Sequence, residues 1–134
     1  GMLASAAYWI GAGANKIVGG PSSIIGSIGT FLTLIDSSER QKAMGIKPVI
    51  IKNKEGSFKA AGAYGTRLTA EQKTQLEELV QSLHNSFAKF VSHNRIVGKS
   101  AMRGQGFTSE QAKRLGLIDS IAPASETLAR IVGE

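Results

Sequence analysis

A capped amphipathic helix in the middle of the chain constrains the fold most. Thr69-Ala70-Glu71-Gln72 has the form of a capping box, in which the Thr hydroxyl serves the Gln72 amide and the Gln side chain reaches back. Leu76, Leu79, Val80, Leu83, Phe87, Phe90 and Val91 then fall on one helical face, which predicts a helix to about His93. A single apolar stripe of that length needs a layer to pack on. The flanking sequence supplies strand-like runs alternating with helices, the pattern of a layered α/β fold.

Before the long helix, Ala4 to about Ala14 is rich in alanine and reads as a buried helix. Lys16 to Pro21 reads as a short strand and turn, and Ser22 to Gly29 as a β-branched, glycine-punctuated segment. Thr30 to Ile35 reads as a strand, with Asp36 as an N-cap candidate for a short helix over Ser37 to Met44 that Gly45 stops. Pro48 to Lys52 reads as another strand, and Asn53 to Arg67 as a loop. After the long helix, a second capping box, Thr108-Ser109-Glu110-Gln111, opens a short helix that ends at Gly116. Leu117 to Ile121 is a brief strand and Ala124 to Val132 a final helix.

Such a sheet calls for strands ahead of Ser5, and the sequence reading finds none there. Gly1 is set aside as a tag remnant. The expectation is therefore a partial domain over residues 2–134, the second half of a larger unit.

Composition narrows the function classes. The 134 residues fit one domain, and 42% hydrophobic with 19% charged residues is a globular balance. No apolar run is long enough for a membrane span, and there is no signal peptide pattern. The absence of cysteine excludes disulfides, thiolate metal sites and cysteine nucleophiles. His84 and His93 lack a neighbouring acidic cluster, so no metal or other cofactor is expected. The net charge of +6 comes from scattered lysines and arginines without interleaved aromatics, the pattern of a solvated surface and not of a nucleic-acid site.

Two residues carry candidate chemistry. Ser5 stands among alanines at a helix start, where a hydroxyl can serve as a nucleophile. Both histidines lie on the long helix with nothing to orient them as a base. A lysine can take that part if desolvation lowers its proton affinity. Lys59, between Phe58 and Ala60-Ala61 with Gly56 and Gly62 nearby, has the most apolar setting. Taken alone, each residue also fits a bland reading: a packable serine and a surface lysine.

Five segments in order add specificity. They are Ala4-Ser5-Ala6-Ala7-Tyr8-Trp9-Ile10, Asn15-Lys16-Ile17 with Pro21-Ser22, and Gly26-Ser27-Ile28-Gly29. Gly56-Ser57-Phe58-Lys59 with Leu68-Thr69-Ala70-Glu71, and Phe90-Val91 and Arg95 with Gln111 to Asp119, complete the set. Together they resemble the signal peptide peptidase A family of serine peptidases, which includes phage capsid scaffold proteases. The resemblance implies a Clp/crotonase-like ββα superhelix, of which this chain would hold the C-terminal half. It implies Ser5 as nucleophile, Lys59 as general base, Ser27 as the group orienting the lysine, and the Ala6 amide as an oxyanion donor. Ala6-Ala7 departs from the family's Gly-Gly after the nucleophile. The family's other oxyanion donors precede the nucleophile segment, and losing one such donor costs on the order of a hundred- to a thousandfold in rate.

The expected function is a serine endopeptidase with a Ser-Lys dyad, of signal-peptide-degrading or capsid-processing type. Its substrate would be a peptide or protein, and it would form a homo-oligomer. The alternative is a catalytically inactive remnant serving as an assembly module. Compartment stays open between cytoplasmic and membrane-associated through an upstream segment.

Overall fold

In a computed structural model, residues 1–133 are described. In chain order the elements are β1 (Met2–Ala4), α1 (Ala6–Gly11), β2 (Val18–Gly19), β3 (Ile24–Gly26), α2 (Ser38–Ala43) and α3 (Ala70–Asn94). A 3-10 turn at Lys99–Ala101 follows, then β4 (Gly106–Thr108), α4 (Ser109–Arg114), β5 (Ser120–Ile121) and α5 (Ala124–Val132). The chain is α/β, as the alternation predicts. It divides into two compact units: residues 1–30 with 82–134, and residues 31–81. No helix of the described residues is long and apolar enough to cross a membrane.

The first unit holds two small sheets. One has the order β1-β3-β4, with β1 parallel and β4 antiparallel to β3; the other pairs β2 with β5 in parallel. A strand thus does precede Ser5. Met2, Leu3 and Ala4 lie opposite Ile24, Ile25 and Gly26, and even the Gly1 carbonyl accepts the Ile24 N–H at 3.0 Å. That pairing pulls Ala4 out of the predicted helix, so α1 starts at Ala6 and stops at Gly11. Nor is α1 buried all round. Tyr8 is fully buried, whereas Ile10 is 82% exposed.

The core gathers Tyr8, Ile25, Ile28, Phe87, Val91, Leu117 and Ile118. Trp9 stacks on Phe87 with ring centroids 4.6 Å apart and planes 2° from parallel, a geometry that adds to the area both rings bury. On α3 only Phe87 and Val91 are buried, while Leu79, Leu83 and Phe90 are exposed. The predicted stripe is therefore only partly covered by this chain.

A polar lock closes this unit. The buried Tyr8 hydroxyl donates to the Leu117 carbonyl at 2.8 Å. Asp119 accepts the Ile17 N–H at 2.7 Å and pairs with the nearly buried Arg95 guanidinium at 3.0 Å. The Ile17 N–H, seconded by Arg95 and opposed by partial burial, holds the Asp119 carboxyl below its usual range. Burial pushes the Tyr8 phenol up to about 12, with Arg95 pulling it down and Asp119 adding to the rise.

Both shifts predict a pH profile of stability. Asp119 binds its proton less readily folded than unfolded, so its stabilisation is present above the ordinary carboxylate pKa and lost as pH falls through the folded value. Tyr8 keeps its proton longer when folded. Its contribution is complete below about pH 10 and lost as pH rises toward 12. In denaturant unfolding, the gap between wild type and Tyr8→Phe is expected to narrow by about 2 kcal/mol across that alkaline window. Asp119→Asn is expected to flatten the acid limb. A gap that stays constant with pH would refute the Tyr8 assignment.

The second unit contains α2, the loop of turns that the sequence predicts after residue 52, and the start of α3. The α3 capping box forms as expected, with Gln72 N–H to Thr69 Oγ1 and Thr69 N–H to Gln72 Oε1 both at 3.1 Å. Gln72 also donates to the Ser57 carbonyl at 2.7 Å, tying the loop to the helix start. The α2 N-cap is Ser37 and not Asp36, whose carboxylate instead takes the Ser38 N–H and hydroxyl. The strands predicted at Thr30–Ile35 and Pro48–Lys52 are absent. Their β-branched residues suit a pleated, half-buried surface, but no described residue offers them a ladder. Phe31 and Ile51 are left 89% and 94% exposed.

Candidate functional site

Ser5 is the hinge between β1 and α1. Its backbone has φ 55° and ψ −128°, a region that residues other than glycine rarely adopt. The strain has a local cause. The Ser5 N–H still completes the strand ladder by donating to the Gly26 carbonyl at 2.9 Å, while its carbonyl already accepts the Trp9 N–H at 3.0 Å. One residue must therefore turn a strand into a helix. A serine in this position normally caps the helix, but Ser5 makes no side-chain cap. Its hydroxyl is exposed and has no hydrogen-bond partner among the described residues.

Parallel pairing sets a second serine beside it. Ala4 is in register with Gly26, so Ser5 and Ser27 leave the ends of adjacent strands together at the usual spacing of about 4.8 Å between strands. Gly26 has φ 109° and Ser27 φ 49°. A Cβ on Gly26 would come within 3.0 Å of the Phe107 ring and 3.1 Å of the Gln105 carbonyl, so glycine is required there. Ser27 is half-buried, and its N–H donates to the Gln105 carbonyl at 2.7 Å. Ala6 lies in the first turn of α1, where backbone N–H groups have no intrahelical acceptor. The elbow thus offers an exposed hydroxyl, a neighbouring hydroxyl and a free amide within one unit.

Lys59 belongs to the other unit. It stands in the loop of turns, its N–H bonded to the Gly56 carbonyl at 3.1 Å, and its side chain is exposed. Among the described residues it has no ion-pair partner. His84 and His93 are on α3 as predicted, the first half-buried and the second exposed. No acidic, His or Cys cluster among the described residues could hold a metal.

Sequence reasoning did not raise Gln105. Its signal is a glycine on each side, Gly104 and Gly106, a pattern that marks backbone held close to other backbone.

The strained strand–Ser5–helix turn, with its uncapped and exposed hydroxyl, resembles in shape the nucleophile elbow of serine hydrolases. The sequence agrees with a narrower class: the family model of Peptidase family S49 matches residues 1–132, and the chain belongs to that family. The resemblance to signal peptide peptidase A proteins is borne out. The chain is 30% identical to a Methanocaldococcus jannaschii protein named "Putative protease MJ0651", over 98% of this chain and 43% of that protein. It is 26% identical to the Enterococcus faecium "Putative signal peptide peptidase SppA", over 93% and 37% respectively. With "Protease 4" of Salmonella typhi it shares 26% identity, over 97% of this chain and 21% of the relative. The chain thus spans less than half the length of these relatives.

Proposed function

We propose that this chain carries the nucleophile of a serine endopeptidase that works through a Ser5–Lys59 dyad. The observation that supports it most is the Ser5 elbow, where strain is kept and the hydroxyl is spent on no structural bond. In the reaction, Ser5 Oγ attacks the scissile carbonyl carbon and its proton passes to the Lys59 amine. The Ala6 N–H faces the developing oxyanion. Collapse breaks the C–N bond, and Lys59 returns the proton to the leaving amine, leaving an ester on Ser5. Water then attacks that ester with Lys59 as base, releasing the carboxylate product and the Ser5 hydroxyl. Ser27 holds the lysine amine in a productive rotamer.

Substrates in this reading are extended peptides with small or apolar residues at the cleaved bond, of signal-peptide or capsid-scaffold type. The fold is the C-terminal portion of a Clp/crotonase-like superhelix. Exposed apolar side chains such as Phe31 and Ile51 support self-association into a homo-oligomer.

The exposure of Lys59 favours a second reading, an inactive remnant that serves assembly. A fluorophosphonate probe separates the two. The peptidase reading expects the protein to be labelled on Ser5, labelling to vanish in Ser5→Ala, and Lys59→Ala to slow it by about a hundredfold or more at neutral pH. No labelling of the wild type, or labelling that survives in Ser5→Ala, would overturn it.

A further inference from the structure

We infer that Gln105 is a positioning residue for Ser27, an inference that rests on the reading of Ser5 and Ser27 as site residues. Gly26 and Ser27 follow one another at positive φ. Such a pair persists only where its surroundings over-determine it. On one side, the Gly26 carbonyl is tied to the Ser5 N–H at 2.9 Å. On the other, the Ser27 N–H is tied to the Gln105 carbonyl at 2.7 Å.

What fixes that carbonyl is the Gln105 side chain. Its Oε1 accepts the Arg103 N–H at 2.9 Å and its Nε2 donates to the Ser100 carbonyl at 2.8 Å. One carboxamide thus closes the loop that runs from the 3-10 turn to β4. The loop grips the neighbouring strand end a second time, through the Gly104 N–H on the Ile28 carbonyl at 2.9 Å. There the backbones come so close that a Cβ on Gly29 would sit 3.2 Å from the Gly104 Cα. A side chain that donates and accepts at once satisfies both loop contacts, as the glutamine carboxamide does here. Glutamate keeps the acceptor alone.

Gln105 therefore sets the backbone from which the Ser27 hydroxyl projects, and through it the group that steers the base. Gln105 itself makes no hydrogen bond to Ser5. Its effect belongs in the chemical step and not in probe binding.

Two measurements on Gln105→Ala and the milder Gln105→Glu decide the matter. In amide hydrogen exchange, the Ser27 N–H is expected to exchange about tenfold faster in both variants, with the Ser5 N–H unchanged. In fluorophosphonate labelling, the maximal inactivation rate is expected to fall about tenfold with the probe's binding constant unchanged. Unchanged Ser27 exchange would overturn the inference. So would faster exchange with an unchanged inactivation rate, or a loss confined to probe binding. If the wild type is not labelled at all, the peptidase reading fails and the positioning role falls with it, while the exchange arm still reports whether Gln105 sets the Ser27 backbone.

Discussion

Ser5→Gly is expected to abolish probe labelling while raising the stability of the protein by about 1 kcal/mol. The two effects have one source. At φ 55° and ψ −128° a serine is strained, typically by about 1 to 3 kcal/mol, whereas glycine adopts this region freely. Against that relief stands the extra freedom glycine gives the unfolded chain, about 0.4 to 1 kcal/mol. The hydroxyl itself contributes no structural bond, because Ser5 makes no helix cap. Strain relief therefore wins. Ser5→Ala removes the same hydroxyl and keeps the strain, so its stability is expected to match the wild type. Urea unfolding of the three proteins, run beside labelling, checks this. A glycine variant less stable than the alanine variant would mean that the elbow is not strained. A residue that costs stability and makes no structural bond supports the proposed role of Ser5 as a nucleophile.

Gly116→Ala is expected to lower stability by about 4 kcal/mol or more, the largest effect of any single methyl in the first unit. Gly116 ends α4 at φ 79°. The Leu117 N–H reaches back to the Ala112 carbonyl at 2.9 Å and the Gly116 N–H to the Lys113 carbonyl at 3.1 Å, the paired bonds of a Schellman cap. Alanine in this left-handed position costs about 1 kcal/mol relative to glycine. The larger part is steric. A Cβ here would lie 2.3 Å from the Ile96 carbonyl oxygen, which is backbone and cannot swing aside. Moving it disturbs Arg95, whose Nε donates to the Gly116 carbonyl at 3.4 Å, and Leu117, whose carbonyl receives the Tyr8 hydroxyl. Tyr8 is in α1, the helix that Ser5 opens, so labelling is expected to fall as well. A urea midpoint within about 1 kcal/mol of wild type would show that the cap tolerates a side chain.

Much of the helical framework was legible because its signals are local. The capping boxes at Thr69 and Thr108 form as written, and α5 covers the predicted Ala124–Val132. Helix bonds close within a few residues, so a short stretch of sequence contains both partners. Strands differ. Thr30–Ile35 and Pro48–Lys52 have strand-like side chains but no ladder among the described residues. Met2–Ala4, masked by the alanines that follow, became a strand because Ile24–Gly26 lies alongside it.

The candidate residues divide the same way. Sequence alone determined their types: a serine among alanines, a serine after a glycine, a lysine in a small apolar loop. It also determined the order in which they occur, and so the family to which the chain belongs. Only the tertiary structure decided that Ser5 is an elbow and not a helix residue, that Ser27 stands next to it, and that the Gln105 carbonyl holds Ser27 in place. Those features depend on hydrogen bonds between segments far apart in the chain. Neither partner's local sequence encodes such a bond, which exists only once neighbouring strands have fixed their register.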